Sequence, residues 1–174
     1  MNEPDDEVQI RNLQTGHTTK VCQVKRVMAL AFSPDGKTLT VSHKAPTKQK
    51  IEFPQLTAYR SSNGHQVWAA FTTTHWNEPD SIEERLTVFD VAYAPDKKTL
   101  AGIDNLHNVS IRDPKTGRLL LTLKVPLKKL NWKFSEGSGA GPATLNFSAD
   151  GETLLSRGPR AVLLWNTDDW KDKL

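Results

Sequence analysis

The chain has 174 residues, 37% hydrophobic and 25% charged, and its 23 basic against 20 acidic side chains exclude the strongly basic character of a nucleic-acid binder. A single cysteine, Cys22, excludes an internal disulfide framework, a CxxC redox pair and a thiol-rich zinc site. No apolar run is long enough to cross a membrane, and the acidic stretch Met1 to Glu7 lacks the apolar core of a secretory signal, so neither membrane binding nor export is expected and the location is read as cytoplasmic.

Taken in chain order, short apolar runs alternate with turn signals. Glu7–Ile10 and Thr19–Val24 flank Asn12-Leu13-Gln14-Thr15-Gly16. Val27, Ala29 and Ala31 alternate into Phe32-Ser33-Pro34-Asp35-Gly36-Lys37-Thr38-Leu39, and Leu56–Tyr59 and Gln66–Phe71 flank Arg60-Ser61-Ser62-Asn63-Gly64. Val88, Val91 and Tyr93 lead into Tyr93-Ala94-Pro95-Asp96-Lys97-Lys98-Thr99-Leu100, and Asn108–Arg112 and Leu119–Leu123 flank Asp113-Pro114-Lys115-Thr116-Gly117. Ala143, Leu145 and Phe147 lead into Phe147-Ser148-Ala149-Asp150-Gly151-Glu152-Thr153-Leu154, followed by Val162-Leu163-Leu164-Trp165-Asn166 without the closing Gly. Period-two alternation bounded by Asp-Gly or Thr-Gly turns predicts β-hairpins. Two turn signatures alternating along the chain predict a repeating unit of four antiparallel strands, a to d, with no competing helical period. Lys97 stands where the other copies have Gly, so that turn either holds a non-glycine residue at positive φ or takes another form.

Phe-Ser-Pro-Asp-Gly-Lys-Thr-Leu, a strand ending Leu-Leu-Trp-Asn, and a Thr-Gly turn together resemble the WD-repeat β-propeller family, in its bacterial type of repeat, over residues 7–166. The Trp-Asp pair of that family is replaced by Arg11-Asn12, Tyr59-Arg60, Arg112-Asp113 and Trp165-Asn166, and the Gly-His pair before strand a is absent. The family's Asp–His–Ser/Thr–Trp hydrogen-bond network is therefore not expected in any blade. Stability then rests on apolar packing between blades, and a modest thermal midpoint is expected.

The resemblance implies an all-β fold: a single partial propeller over residues 1–174, about three and a quarter blades and thirteen strands. Strands c and d of a first blade fall in 7–24, a second blade in 26–73, a third in 88–124, and strands a to c of a last blade in 143–166, with long inter-blade loops at 74–87 and 125–142. Propellers of about seven 40–45-residue repeats need roughly 300 residues. The chain is accordingly expected to be a fragment or C-terminal part of a larger propeller, with self-association, a second chain, or residues 1–24 folded onto the last blade as other ways to complete it.

In such a unit the a–b and c–d turns share one end and the b–c and d–a connections share the other. The insertions His43–Lys50, Thr72–Thr87 and Val125–Pro142 all belong to the second end. Loops on a rigid scaffold are where recognition sits, so the candidate partner-binding face carries Lys44, Lys48, Trp76, Lys128, Lys129 and Trp132. The bland reading buries the tryptophans under their own loops and leaves the lysines solvated.

Catalytic, cofactor-binding and metal-ligating residues are expected to be none. The five histidines have no HExxH spacing, no GxSxG occurs, and Gly137 to Gly141 is not followed by a phosphate-binding GK[ST]. Asp35, Asp96 and Asp150 read as turn residues, Cys22 as core or edge, and Asp168, Asp169 and Asp172 as a solvated acidic tail. The inner strands offer Asp90 and Asn146 as their polar members, too few for a catalytic constellation. The function read from the sequence is a non-catalytic protein-interaction scaffold binding one or more protein partners. The alternatives are part of a propeller enzyme or small-molecule sensor whose site lies in further blades, and a structural regulatory tail of a multidomain signalling protein.

Overall fold

The computed structural model describes residues 5–43, 55–70, 87–105, 107–124, 143–158 and 161–171. Four antiparallel sheets follow one another along the chain. The first pairs β1 (Asp6–Arg11) with β2 (Thr18–Val24). The second runs β3 (Val27–Phe32), β4 (Thr38–His43), β5 (Leu56–Arg60), β6 (Gln66–Ala70), and the third β7 (Val88–Tyr93), β8 (Leu100–Asp104), β9 (Val109–Arg112), β10 (Leu119–Leu123). The fourth holds β11 (Thr144–Phe147), β12 (Thr153–Arg157) and β13 (Val162–Asn166), and the short helix α1 (Asp168–Lys171) follows it. Strand order within every sheet is sequence order, the signature of propeller blades. The two-, four-, four- and three-stranded grouping matches the partial propeller expected from the repeat.

The turns form because a short polar side chain replaces backbone partners that the strands give up. Asp35 Oδ1 accepts from Ser33 Oγ (2.7 Å) and Lys37 N (3.1 Å), and Ser33 Oγ accepts from Thr38 N (3.0 Å). Asp150 and Ser148 repeat that pattern. Asp96 accepts from Lys98 N (2.9 Å), and Ala94 stands where the other two turns have the serine. Lys97 takes the left-handed conformation itself, at φ 63°. At the c–d turns, Asn12 Oδ1 accepts from Gln14 N and Thr15 N, and Asp113 accepts from Lys115 N and Thr116 Oγ1. These bonds hold the Asp35 and Asp113 carboxyls below their ordinary range: the Ser33 hydroxyl leads for Asp35 and the Lys115 amide for Asp113.

The core lies between sheets rather than within one layer. Val8, Val21 and Cys22 of the first sheet meet Leu39, Val41 and Tyr59 of the second. Leu56, Ala58 and Trp68 of the second meet Val88, Val91 and Leu100 of the third, and Ile103, Val109 and Ile111 of the third meet Leu145 and Leu154 of the fourth. Polar pins cross the same interfaces. Thr40 Oγ1 and Tyr93 Oη lie 2.6 Å apart, Ser42 Oγ donates to Val88 O, and Trp68 Nε1 donates to Pro114 O (2.9 Å). On the inner strands, Asp90 Oδ2 accepts from Leu145 N at 2.8 Å.

Three details depart from the sequence reading. Asp168 and Asp169 are exposed, as expected, and Asp172 lies outside the described residues; unforeseen is that Asp168 and Asp169 open α1, whose Trp170 is buried against the third and fourth sheets, 2% exposed. One link of the family network does occur, since Trp165 Nε1 donates to Ser156 Oγ at 2.8 Å. Residues 6–24 pack on the second sheet rather than on the last one, and β13 pairs only with β12 among the described residues. Cys22 is core, and burial raises its thiol pKa. Burial and the neighbouring Cys22 push the Tyr59 hydroxyl up to about 12.

Candidate functional site

Antiparallel pairing brings one end of every strand together. Val27 pairs with His43, Ser42 with Leu56, and Leu56 with Ala70 in the second sheet. Val88 pairs with Asp104, and Val109 with Ile103 and Leu123, in the third. Thr144 and Val162 both pair with Arg157 in the fourth. The chain enters or leaves the insertions after His43, Ala70 and Leu123 at this end, whereas the short Asp-Gly and Thr-Gly turns occupy the opposite end. The two-ended layout expected from strand parity is therefore the layout of the sheets.

The rim of this end is stitched together. His43 N donates to Gln55 O and Gln55 N to Ala70 O, each at 3.0 Å, so Gln55 ties β4 to β6. The His43 ring Nε2 lies 3.2 Å from Thr57 Oγ1. Between β8 and β9, Asp104 accepts from Asn108 N (2.9 Å) and Asn108 Nδ2 (3.2 Å), while its carbonyl accepts from His107 N (2.9 Å). Thr87 N donates to Asn105 Oδ1 and Asn105 N to Thr87 O, both at 3.0 Å, which fixes the start of β7 to this turn. His107 sits at φ 62° and is 2% exposed, and burial lowers its imidazole pKa. The rim thus presents fixed hydrogen-bonding groups on strand ends.

All six residues of the candidate partner-binding face, Lys44, Lys48, Trp76, Lys128, Lys129 and Trp132, lie outside the described residues, as do the insertions that carry them apart from the terminal His43 and Thr87. What the structure places is their anchorage. From the sequence Asp104 read only as lying near the b–c turn, and His107 only as one of five scattered histidines. The signal was weak, because the b–c turn has no Asp-Gly, and His107 supplies the left-handed residue that Gly would normally supply.

Asp90, the polar residue of an inner strand, is spent on Leu145 N and on its own Val91 N (2.9 Å). Among the described residues no three His, Cys, Asp or Glu side chains are grouped to hold a metal ion, and no helix is long and apolar enough to cross a membrane.

No protein-family model matches the sequence, and no curated protein matches it significantly. Solved structures do share the fold. A chain of the "Crystal Structure of Mitotic Checkpoint Complex" superposes with TM-score 0.63 at 14% identity, over 94% of this chain and 42% of that one. Hsv2 of Kluyvelomyces marxianus superposes with TM-score 0.58 at 11% identity, over 92% of this chain and 46% of that one. Both are WD-repeat β-propellers. The fold of this chain is a partial β-propeller, spanning under half the length of these neighbours.

Proposed function

We propose that the chain is a non-catalytic protein-interaction scaffold of WD-repeat type. In this reading residues 1–174 form one propeller unit within a larger, cytoplasmic propeller protein with bacterial-type repeats. The end carrying the insertions binds protein partners, with Lys44, Lys48, Trp76, Lys128, Lys129 and Trp132 as contacts. One observation carries the reading: every insertion departs from the same stitched rim, at His43, Ala70 and Leu123, while the other end has only tight turns. Indole and lysine side chains presented from a rigid frame are the residue types that anchor protein interfaces and steer encounter. The engagement of Asp90 by backbone amides supports the non-catalytic part of the reading.

The test is capture of partners from the native lysate on immobilised chain, followed by titration of the captured protein against variants. Trp132→Ala combined with Lys128→Ala and Lys129→Ala weakens binding about 30-fold if these residues form a hot spot. Undiminished affinity in that triple variant, and in a second one with Trp76→Ala, Lys44→Ala and Lys48→Ala, refutes the assignment of the face.

A further inference from the structure

The three c–d turns share one hydrogen-bond pattern and differ in one reactive pair. In each, the glycine amide donates to the strand-end carbonyl: Gly16 N to Asn12 O, Gly64 N to Arg60 O and Gly117 N to Asp113 O, at 2.8, 2.9 and 2.8 Å. The residue before the glycine accepts from the amide two places on. Thr15 Oγ1 and Thr116 Oγ1 do so at 3.3 Å, from His17 N and Arg118 N, and Asn63 Oδ1 does so at 3.1 Å, from His65 N. Asn63 thus stands where the other turns have threonine. It makes the same turn contact and adds an electrophilic amide carbon that a hydroxyl lacks.

Asn63-Gly64 is the one Asn-Gly pair in the sequence. Ring closure onto an asparagine side chain is least hindered when glycine follows, because no side chain shields the attacking amide nitrogen. Asn63 is exposed, so water has access to it. The two Asp-Gly pairs, Asp35-Gly36 and Asp150-Gly151, could close the same ring only from a neutral carboxyl. The Ser33 hydroxyl and the Lys37 amide hold the Asp35 carboxyl below its ordinary range and so keep it as the unreactive carboxylate. Asp150 accepts the same two kinds of hydrogen bond, from Ser148 Oγ and Glu152 N.

We propose that Asn63 is a site of spontaneous deamidation, gated by the seating of its turn on β2. Gly64 N attacks Asn63 Cγ, the new N–Cγ bond closes a five-membered succinimide, and the Cγ–Nδ2 bond breaks. The proton from Gly64 N leaves with the amide group as ammonia. Water then opens the ring. Cleavage at Cγ gives aspartate, and cleavage at the Asn63 carbonyl carbon gives isoaspartate, whose main chain runs through Cβ and Cγ and is one atom longer. Closure needs Gly64 N released from Arg60 O, and the seated turn opposes that release. A Cβ added at Gly64 would stand 2.6 Å from Lys20 O and 2.9 Å from Val21 O, so the turn has no slack against β2. Reaction therefore proceeds from the locally opened turn. The longer isoaspartate main chain does not fit back into that gap, and the product loosens the packing of the first sheet on the second. Cys22, the single cysteine, is buried in that packing beside Val21 and reports on it.

The experiment ages the full chain at mildly alkaline pH, folded and in urea, and follows conversion at Asn63 by peptide mass spectrometry. Asn63 converts in both, about tenfold faster in urea, the factor for a gate worth about one hydrogen bond. The isoaspartyl fraction of the folded chain, separated by chromatography, reacts with a thiol reagent at Cys22 about tenfold faster than the unmodified fraction. Asn63→Thr, which puts the residue of the other two turns at this position, shows no conversion there and keeps Cys22 slow on ageing. A folded chain that does not convert, or that converts as fast as the unfolded one, overturns the gated site. An isoaspartyl fraction whose Cys22 reacts no faster than that of the unmodified chain overturns the loss of seating.

Discussion

Gly16, Gly64 and Gly117 close the three c–d turns, at φ 70°, 70° and 73°. Their local backbones are the same, but their surroundings differ in a way that follows from blade stacking. A Cβ added at Gly16 meets nothing within 4 Å among the described residues. At Gly64 it would lie 2.6 Å from Lys20 O and 2.9 Å from Val21 O on β2. At Gly117 it would lie 2.5 Å from Trp68 Cε3 and 2.8 Å from Cδ2, on a ring held by its bond to Pro114 O. Alanine in the left-handed region costs about 1–2 kcal/mol wherever it stands, and forcing an atom into a packed contact costs roughly a further 1–3 kcal/mol. Gly16→Ala should therefore destabilise by about 1–2 kcal/mol, and Gly64→Ala and Gly117→Ala by about 2–5 kcal/mol. Urea unfolding followed by tryptophan fluorescence measures all three. Equal losses in the three variants would refute the idea that each c–d turn is seated on the outer strand of the preceding sheet.

Three further outcomes follow from the packing. Ile111→Ala, at a fully buried site, costs about 2–5 kcal/mol, whereas Leu164→Ala, 69% exposed at the matching position, stays within about 0.5 kcal/mol; similar losses in urea denaturation would contradict the assigned interface. Asp90→Ala leaves the Leu145 amide without its carboxylate and costs about 1–3 kcal/mol, with faster amide exchange at Leu145 in NMR. Burial holds His107 below its ordinary value of 6.5, so the unfolded chain takes up protons first: this contribution to stability is complete above pH 6.5 and declines as pH falls through that value towards the folded-state one. Asp35 and Asp113, also depressed, lose theirs as pH falls through 3.8, so of the groups with a resolved shift His107 is the one that changes charge between pH 7 and 5. In His107→Asn, which tolerates the left-handed backbone, that part of the profile flattens; an unchanged slope would mean another group is responsible.

The strands and sheet grouping were legible because each rests on local signals that recur. The Asp-Gly turns at Gly36 and Gly151, and the Thr-Gly and Asn-Gly turns at Gly16, Gly64 and Gly117, fix where the chain reverses, and period-two alternation fixes which face is apolar. Strand ends such as Leu56–Arg60 and Val109–Arg112 fall within a residue of those read from the pattern. Trp170 was not legible. A one-turn helix has no periodicity, and its burial depends on a tertiary site that no local pattern encodes. Arg112 shows the same limit: it stands at the family's Trp position, 4% exposed, and its Nη1 donates to Gly117 O (2.9 Å), closing the turn where an indole would pack. The insertion face was legible as a place, because strand parity dictates which connections share an end. Trp76 and Trp132, which the sequence placed on that face, lie outside the described residues.

The central claim is that these four sheets stack face to face as successive blades. Side-chain NOEs across the sheet interfaces test it most directly: the Trp68 ring with Gly117 Hα, and the Ile111 methyls with those of Leu145. The account predicts strong cross-peaks for both pairs alongside the within-sheet pattern. Intact within-sheet cross-peaks with neither inter-sheet pair would contradict it.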